Sequence, residues 1–156
     1  MLLHNLVTGI RPLLHVWWRF SRGMTLGVRG VVMDERGNIL LIRHTYMPGW
    51  HFPGGGVEAN ETAESALFRE LKEEAEITTE KQPELIGIYF NRFISKRDHV
   101  LLYRVREPKI LSVKKADNEI AEARFFPLST LPEDISPGTG RRIREIFFSA
   151  PQEVFW

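Results

Sequence analysis

The sequence predicts a single mixed α/β domain in which a β-sheet packs between helices. Three observations lead to this fold class: several β-branched runs bounded by turn residues, an amphipathic helix in the middle of the chain, and a second helical pattern near its end. Strands and helices in this order favour a sheet that is covered on both faces. The chain has 156 residues, of which 43% are hydrophobic and 26% are charged, and this suits one folded domain over residues 1–156.

Short β-branched and aromatic runs predict the strands. "TLGVRGVVMD" stops at the turn signal "ERGN" before "ILLIRH" resumes, so these two runs should pair as a hairpin. "ELIGIYFNRFI" and "HVLLYRVR" flank "SKRD" and predict a second hairpin, and "EARFFPL" predicts a later strand. Ahead of the central helix, "MPGWHFPGGGVE" carries two Pro and four Gly and must be a loop.

The central helix should run from about Thr62 to Glu76, and it has two different faces. One face is an apolar stripe that repeats every fourth residue and fixes the helix against the core. The other carries glutamates three and four positions apart, which repel one another unless a cation lies beside them. A closing helix is predicted in "SPGTGRRIREIFF". The apolar stripe comprises Ala63, Leu67, Leu71 and Ala75, and the acidic face comprises Glu70, Glu73 and Glu74.

Residues 1–24 precede the first strand and predict an N-terminal helical extension. Arg11 and Pro12 interrupt its apolar run and no small-residue cleavage site follows, so the pattern is that of neither a secretory signal nor a membrane span. Its leucines and tryptophans favour packing on the body of the same domain. The alternatives are a homodimer interface and attachment to a membrane surface.

Composition restricts the partners. The net charge of +1, from 21 Lys+Arg and 20 Asp+Glu, gives no overall electrostatic footprint for nucleic acid or for an anionic membrane. We therefore expect no stable nucleic-acid partner. The chain has no Cys, which excludes disulfides, thiolate metal sites and a cysteine nucleophile and fits a cytoplasmic setting.

The acidic face of the central helix predicts a metal site. Clustered carboxylates suit Mg²⁺ or Mn²⁺, hard cations that prefer oxygen ligands and accompany phosphate substrates. The glycine run from Gly54 to Gly56 lies just upstream and lets backbone groups approach a ligand closely. The alternative is a solvated glutamate-rich face, which Lys72 between the acids would fit.

The spacing around this helix is specific. Gly55 is followed after five residues by Glu61, and after seven more by "RELKEEAEI", residues 69–77. This closely resembles the Nudix box, G-x5-E-x7-R-E-U-x-E-E-x-G-U, where U is a bulky aliphatic residue. Eight of the nine specified positions match within 23 residues; the exception is Glu76, where the box has a glycine that ends the helix in a left-handed conformation. The resemblance implies the Nudix fold, a mixed sheet in an α/β/α sandwich.

The resemblance also implies an activity, the hydrolysis of a nucleoside diphosphate linked to another moiety, with water activated by Mg²⁺ or Mn²⁺. Glu73, Glu74 and the carbonyl of Gly54 would be metal ligands. Glu70 would orient or deprotonate the water, or share in binding a second metal ion. Arg69 would hold Glu70 in place through a charge-assisted hydrogen bond.

Two further acids belong to this interpretation. Glu61 would support the glycine loop or reach a metal ion through water. Many members of the family use a carboxylate from outside the box to complete the metal site or to act as the base, and "NEIAEARFFPL" supplies Glu119 and Glu122. Glu119 is preferred because its spacing to Phe125 resembles a family pattern, whereas ordinary charges at the edge of a strand are the alternative for both.

Substrate contacts are predicted from the loop before the box and from the second hairpin. An aromatic ring there could stack on a base, and an arginine could hold a phosphate. The preferred residues are Trp50, His51, Phe90 and Arg92, with Tyr46, Asn91 and Arg97 as further candidates.

Two other functions stay open at the level of the sequence. A Nudix-fold module could bind a nucleotide without cleaving it, although the intact acidic triplet favours a hydrolase. An RNA 5′-end pyrophosphohydrolase would need a basic groove, to which "VKKAD", "SKRD" and "GRRIRE" would have to converge.

Overall fold

The structure is a computed structural model that describes residues 23–156. The N-terminal helical extension predicted for residues 1–24 therefore lies outside the described residues, apart from its last two positions. No helix within residues 23–156 is long and apolar enough to cross a bilayer. The elements are β1 (Thr25–Val31), β2 (Ile39–His44), β3 (Trp50–His51), α1 (Ala63–Ala75), β4 (Ile77–Thr78), β5 (Glu84–Phe90), β6 (Asp98–Arg104), β7 (Lys109–Ile110), β8 (Ile120–Phe126) and α2 (Pro137–Phe147).

The strands form two three-stranded sheets and one short pair. β6 lies between β1, which is parallel to it, and β5, which is antiparallel. β2 lies between β3 and β8 and is antiparallel to both, while β4 pairs with β7. The mixture of parallel and antiparallel pairs confirms the predicted mixed sheet.

The first predicted hairpin forms only next to its turn. A bridge joins Met33 to Ile39, and the N–H of Leu40 donates to the carbonyl of Val32 at 2.9 Å. The rest of the run is β1, which pairs in parallel with β6, from Thr25 opposite Asp98 to Val31 opposite Arg104. The other edge of β1 is taken by the glycine loop, residues 52–57, which accepts from the N–H groups of β1. After the turn "ERGN" the chain therefore continues into a strand of the second sheet. The glycine loop, instead of β2, lies along the free edge of β1.

The second predicted hairpin and the later strand are confirmed. β5 and β6 pair in antiparallel fashion from Glu84 opposite Arg104 to Phe90 opposite His99. β5 ends at Phe90, four residues before the end of the predicted run, because residues 91–97 form turns. The strand predicted in "EARFFPL" is β8, which begins two residues earlier.

Both faces of the sheets are buried, as an α/β/α arrangement requires. On one face Val28 and Val32 belong to a core cluster with Leu67 and Leu71 of α1. On the other face Val31 belongs to a second cluster, together with Ile143 of α2 and partners from β2, β5 and β6. Side chains of a strand alternate between its faces, so one strand serves both clusters.

Local signals fix the two ends of α1. The side chain of Thr62 accepts a hydrogen bond from the N–H of Ser65 at 3.1 Å and caps the first turn. The helix ends at Glu76, whose φ of 55° and ψ of 40° place it in the left-handed region. Glu76 therefore adopts the conformation that the glycine of the Nudix box would adopt, and the helix end keeps its geometry.

Residues 150–156 fold back along the end of β5. The N–H of Phe90 donates to the carbonyl of Val154 at 2.9 Å, and the N–H of Trp156 donates to the carbonyl of Phe90 at 3.1 Å. Arg142 of α2 is fully buried, lies 4.0 Å over the ring of Tyr89 and donates to the carbonyl of Phe155 at 2.7 Å. These contacts hold Trp156 beside the N-terminus of α2.

Candidate active site

The glycine loop brings its backbone beneath α1. Val28 and Gly30 of β1 donate to the carbonyls of Gly55 and Pro53 at 2.8 and 2.9 Å. Gly54 has a φ of 138°, and a Cβ there would lie 2.1 Å from the carbonyl oxygen of Val28. Only glycine fits at this position, because the loop lies almost in contact with the strand.

Glu74 is a buried carboxylate with 4% of its surface exposed. Its Oε2 accepts from the N–H of Gly54 at 2.6 Å. Burial raises the pKa of Glu74 to about 8, against the opposing effects of the Gly54 hydrogen bond and the Arg29 charge. The fold therefore holds a carboxyl group in a place where its ionised form needs a cation.

Glu70 packs directly on the backbone of Gly55. A Cβ at Gly55 would lie 2.2 Å from its Oε1, so the carboxylate uses the space that glycine leaves. The guanidinium of Arg69 donates to the same oxygen at 2.7 Å. Burial raises the pKa of Glu70, while the Arg69 hydrogen bond opposes this change.

Arg69 connects the helix to the loop before it. It donates to both carboxylate oxygens of Glu61, at 3.0 and 3.1 Å, and to the carbonyl of Gly56 at 3.1 Å. Its hydrogen bonds to Glu61 and Glu70 raise the pKa of Arg69, so it is charged throughout the usual pH range. The contacts that the sequence predicted for Arg69 and Glu61 are present, and the roles assigned to these residues stay predictions.

Glu73 differs from the other two acids because its side chain is 60% exposed. One oxygen accepts from Arg69 at 3.3 Å, and the backbone carbonyl of Glu73 accepts from the ammonium of Lys114 at 2.6 Å. The triplet thus presents one exposed, one half-buried and one buried carboxylate along the same side of α1.

The two acids outside the box lie in different surroundings. Glu119 has a carboxylate oxygen within 4.8 Å of ligand atoms of Glu74 and His44. Glu122 instead pairs with Arg43 at 3.0 Å on the neighbouring strand. The structure therefore brings Glu119, and not Glu122, to the acidic side of α1.

Arg29 of β1 is a site residue that the sequence reading did not identify. Its guanidinium donates to the carbonyl of Phe52 at 3.3 Å and, at a closer distance, to that of Gly54. The carbonyl predicted as a metal ligand therefore already accepts a hydrogen bond. Burial lowers the pKa of Arg29, whereas Glu74 and Glu70 counteract this effect. A lone arginine inside the apolar run "GVRGVV" was the available signal.

His44, the last residue of β2, was also missed. Its Nε2 lies 3.9 Å from Oε1 of Glu74, and its side chain is 2% exposed. Burial and the Arg29 charge lower the pKa of His44 to about 4, so the ring is neutral at pH 7. The signal in the sequence was a histidine directly after the buried run of β2.

The donor set fits a divalent ion. Glu70, Glu73, Glu74 and Glu119 offer carboxylate oxygens, which Mg²⁺ and Mn²⁺ prefer. The observation that favours a cation here is Glu74, because its carboxyl group is buried, its ionised form would need a cation there, and Gly54 N–H is the hydrogen-bond donor that the structure gives it.

A cavity of about 330 Å³, a volume in the range of small-ligand sites, is lined by Arg29, His51, Asn91, Phe93 and Trp156. Two of these residues connect it to the acidic cluster, since Arg29 donates to the carbonyl of Gly54 and the ring of His51 lies 5.7 Å from that of His44. No acid of the box lines this cavity or a larger open depression of about 830 Å³ elsewhere. We assign the site to the smaller cavity because it is lined by Arg29, which donates to the carbonyl of Gly54 in the glycine loop.

The predicted substrate residues fall in different places. His51 lines the cavity. Trp50 does not, because it is 3% exposed and packs edge-on against Phe126 at 4.8 Å between ring centroids, so this prediction is corrected. Its neighbour on β3 points to the opposite face, which is why only one of the pair reaches the cavity. Phe90 stacks on His99 and Arg92 lies over Phe155; neither lines the cavity.

Of the further candidates, Asn91 lines the cavity and is held by a hydrogen bond from its amide to Asp98 at 2.8 Å. Tyr46 is 67% exposed and its hydroxyl lies 3.4 Å from Glu119. Arg97 is not among the residues that line the cavity, and its carbonyl accepts from the N–H of Thr25 at 3.0 Å.

The fold places a spaced set of glutamates against a glycine loop, and this arrangement defines the class of pyrophosphohydrolases to which the site corresponds. The sequence model of the NUDIX domain family matches residues 23–146, and the chain therefore belongs to the Nudix family.

Comparisons with individual proteins agree with this assignment. An ADP-ribose pyrophosphatase of Methanocaldococcus jannaschii is 34% identical over 105 residues, which cover 65% of this chain and 62% of that protein. An RNA pyrophosphohydrolase of Marinomonas sp. is 47% identical over 57 residues, which cover 36% of this chain and 35% of that protein. The matched segments thus span about a third to three fifths of the length of these relatives. A solved MutT NUDIX hydrolase from Burkholderia pseudomallei has a TM-score of 0.62 at 22% identity, with 78% of this chain and 97% of that one covered, and shares the fold.

Proposed function

We propose that this chain is a divalent-metal-dependent hydrolase that cleaves the pyrophosphate linkage of a nucleoside diphosphate joined to another moiety. The observation that carries the proposal is the placement of Glu70 and Glu74 against the glycine loop, which Arg29 connects to a cavity of about 330 Å³. Membership of the Nudix family supports it.

Mg²⁺ or Mn²⁺ would be held by the carboxylates of Glu73, Glu74 and Glu119, with the carbonyl of Gly54 as a further ligand. A carbonyl oxygen has two lone pairs, so the hydrogen bond from Arg29 leaves one free. When bound, the ion supplies neutralisation of phosphate charge and a lowered pKa for a water molecule.

Glu70 holds the attacking water and accepts its proton while the new bond to phosphorus forms. The bridging P–O bond breaks, and the leaving group departs as a phosphate monoester. A carboxylate whose pKa is raised by burial is a better base near neutral pH than an exposed one. Arg69 keeps Glu70 in one rotamer and so acts as a positioning residue.

Arg29 and the cavity bind the rest of the substrate. The guanidinium of Arg29 lies between the glycine loop and the cavity, where it can donate to a phosphate oxygen. Phe93 and Trp156 offer aromatic faces for a base, and Asn91 offers an amide for its edge.

A small nucleotide is favoured over an RNA strand. In the segment "GRRIRE", Arg142 is fully buried and Arg141 lies 3.7 Å from Glu153, so neither builds an exposed basic groove. Lys114 of "VKKAD" pairs with Asp117 at 2.6 Å. The cytoplasmic setting and the homodimer stay predictions from the sequence.

A substrate panel tests the proposal. Phosphate release after phosphatase treatment would be followed for ADP-ribose, nucleotide sugars, dinucleoside polyphosphates, nucleoside triphosphates, and capped or triphosphorylated RNA, each with Mg²⁺ or Mn²⁺. We expect turnover of a small nucleotide by the wild type, loss of at least about 100-fold in Glu73→Gln, and wild-type turnover in Glu64→Gln on the first turn of the same helix.

Two results would contradict the proposal. Nucleotide binding without turnover on any member of the panel would favour a binding module. Turnover of triphosphorylated RNA alone would favour the RNA 5′-end activity.

A further inference from the structure

His44 is buried in the acidic cluster with neither ring nitrogen in a hydrogen bond to any described residue. A buried polar atom without a partner costs free energy, so a native structure rarely leaves both nitrogens of an imidazole unused. The ring is enclosed by its neighbours, with the Tyr46 ring centroid at 5.0 Å and that of His51 at 5.7 Å. Its environment is therefore packed, and the ring has a fixed orientation.

The backbone aims this ring at the carboxylates. The pairing of β2 with β8 shifts register between Arg43 and His44, so His44 lies opposite Ile120 instead of the next residue in the ladder. A bulge of this kind redirects a side chain. It leaves Nε2 of His44 at 3.9 Å from Oε1 of Glu74, the oxygen that the Gly54 N–H does not use.

Glu119 completes the arrangement from the segment just before β8. One ligand atom each from His44, Glu74 and Glu119 lie within 4.8 Å of one another. The turn that carries Glu119 is ordered by Asp117, whose carboxylate accepts from the N–H groups of Glu119 and Ile120 at 2.9 and 2.7 Å. An imidazole and two carboxylates thus converge from β2, from α1 and from the segment before β8.

We propose that His44, Glu74 and Glu119 form a metal site with one nitrogen and two carboxylate ligands, and that it favours first-row transition ions such as Mn²⁺ or Co²⁺ over Mg²⁺. Imidazole suits transition ions, whereas Mg²⁺ prefers an all-oxygen shell. The inference rests on the proposed function in that Glu74 and Glu119 are shared with the proposed catalytic ion, and His44 is the ligand that it adds.

Electron spin-echo envelope modulation spectroscopy of bound Mn²⁺ detects nitrogen ligands and tests the site without requiring turnover. In the wild-type full chain we expect a ¹⁴N coupling from a directly bound imidazole, which changes to the ¹⁵N pattern when the histidines are labelled with ¹⁵N. In His44→Gln the coupling should vanish and the Mn²⁺ dissociation constant should rise by about 10-fold or more. The Mg²⁺ dissociation constant should change less than about twofold, because Mg²⁺ does not depend on the nitrogen.

His51→Gln is the matched control. Its ring lies close to His44, but its Nε2 contacts the carbonyl of Pro48 at 2.9 Å, so this variant should keep the ¹⁴N coupling. Because the wild-type spectrum carries the main result, a folding defect of one variant cannot hide it.

The outcomes separate this inference from the proposed function. The inference would be overturned if bound Mn²⁺ showed no ¹⁴N coupling, or if His44→Gln bound Mn²⁺ as tightly as the wild type. Either result would show that His44 has only a packing role. The proposed hydrolysis would stand in that case if Mg²⁺ supports turnover. A nitrogen-coupled Mn²⁺ in a chain that cleaves nothing would support the inference and contradict the proposed function.

Discussion

At the scale of single residues, the contact between Gly55 and Glu70 explains why glycine stands at the head of the box. Neither Gly55 nor its neighbour Gly56 has a positive φ, so an alanine is compatible with the backbone at both. A Cβ at Gly55 would lie 2.2 Å from Oε1 of Glu70, whereas a Cβ at Gly56 would meet nothing within 4 Å. An alanine at Gly55 therefore tests the effect of a methyl group on Glu70, and an alanine at Gly56 tests the effect of the same methyl group on the loop alone.

Gly55→Ala should lower kcat by on the order of 100-fold, because displacing the carboxylate of Glu70 by about 1 Å misplaces the attacking water. Gly56→Ala, which adds the same methyl group one residue later, should keep wild-type turnover. Steady-state kinetics on the substrate found in the panel measures both, and circular dichroism checks the fold. Wild-type turnover by Gly55→Ala would show that the contact has no catalytic role.

Individual site residues differed in how well the sequence predicted them. The acids of α1 were predictable because their spacing along one helix determines which face they share. Arg29 and His44 were not, since they come from two strands that converge on α1 only through the sheet topology. Trp50 was misassigned because β3 has only two residues. The alternation of buried and exposed side chains in so short a strand does not show which of the two residues faces the cavity.

At the scale of elements, α1 was predicted almost to the residue, with expected limits of Thr62 and Glu76 that are its observed caps. Capping and periodicity are local, so the sequence contains them directly. Strand pairing is not local, and this is why the first hairpin extends no further than the residues next to its turn: the glycine loop occupies the edge of β1 that β2 was expected to take.

Glu76 makes a prediction about the stability of α1. A residue with a Cβ is disfavoured in the left-handed region by roughly 1 kcal/mol or more, and glycine is not. Glu76→Gly should therefore raise the free energy of unfolding by about 0.5–1 kcal/mol, measured by urea denaturation. Glu76→Ala removes the same charge and keeps the Cβ, so it should give no such gain. Equal effects of the two changes would assign the result to charge instead of backbone conformation.

At the scale of the whole molecule, Glu74 should make the stability of the metal-free protein depend on pH. Its pKa is raised from 4.5 to about 8 by burial, so the folded state holds a proton that the unfolded state releases. The contribution is complete below pH 4.5 and is lost as the pH rises through 8. The other groups at the site whose pKa values are shifted, His44 and Glu70, are present both in the wild type and in a variant of Glu74.

Glu74→Gln should remove that dependence. In the presence of EDTA, the wild type should lose about 2–4 kcal/mol more unfolding free energy than the variant between pH 5 and pH 9, since one pKa unit corresponds to about 1.4 kcal/mol. Urea denaturation at several pH values measures the difference. Parallel pH profiles of the two proteins would show that Glu74 titrates normally.

The central claim is that this chain uses a bound divalent ion and the acids of α1 to direct water at phosphorus. The most direct test is hydrolysis of the best substrate of the panel in H₂¹⁸O, with the products analysed by mass spectrometry. We expect one ¹⁸O atom in one of the two phosphate-bearing products, and no turnover with EDTA or in Glu73→Gln. Cleavage that persists without metal, or ¹⁸O that enters a sugar hydroxyl instead of a phosphate, would contradict the account.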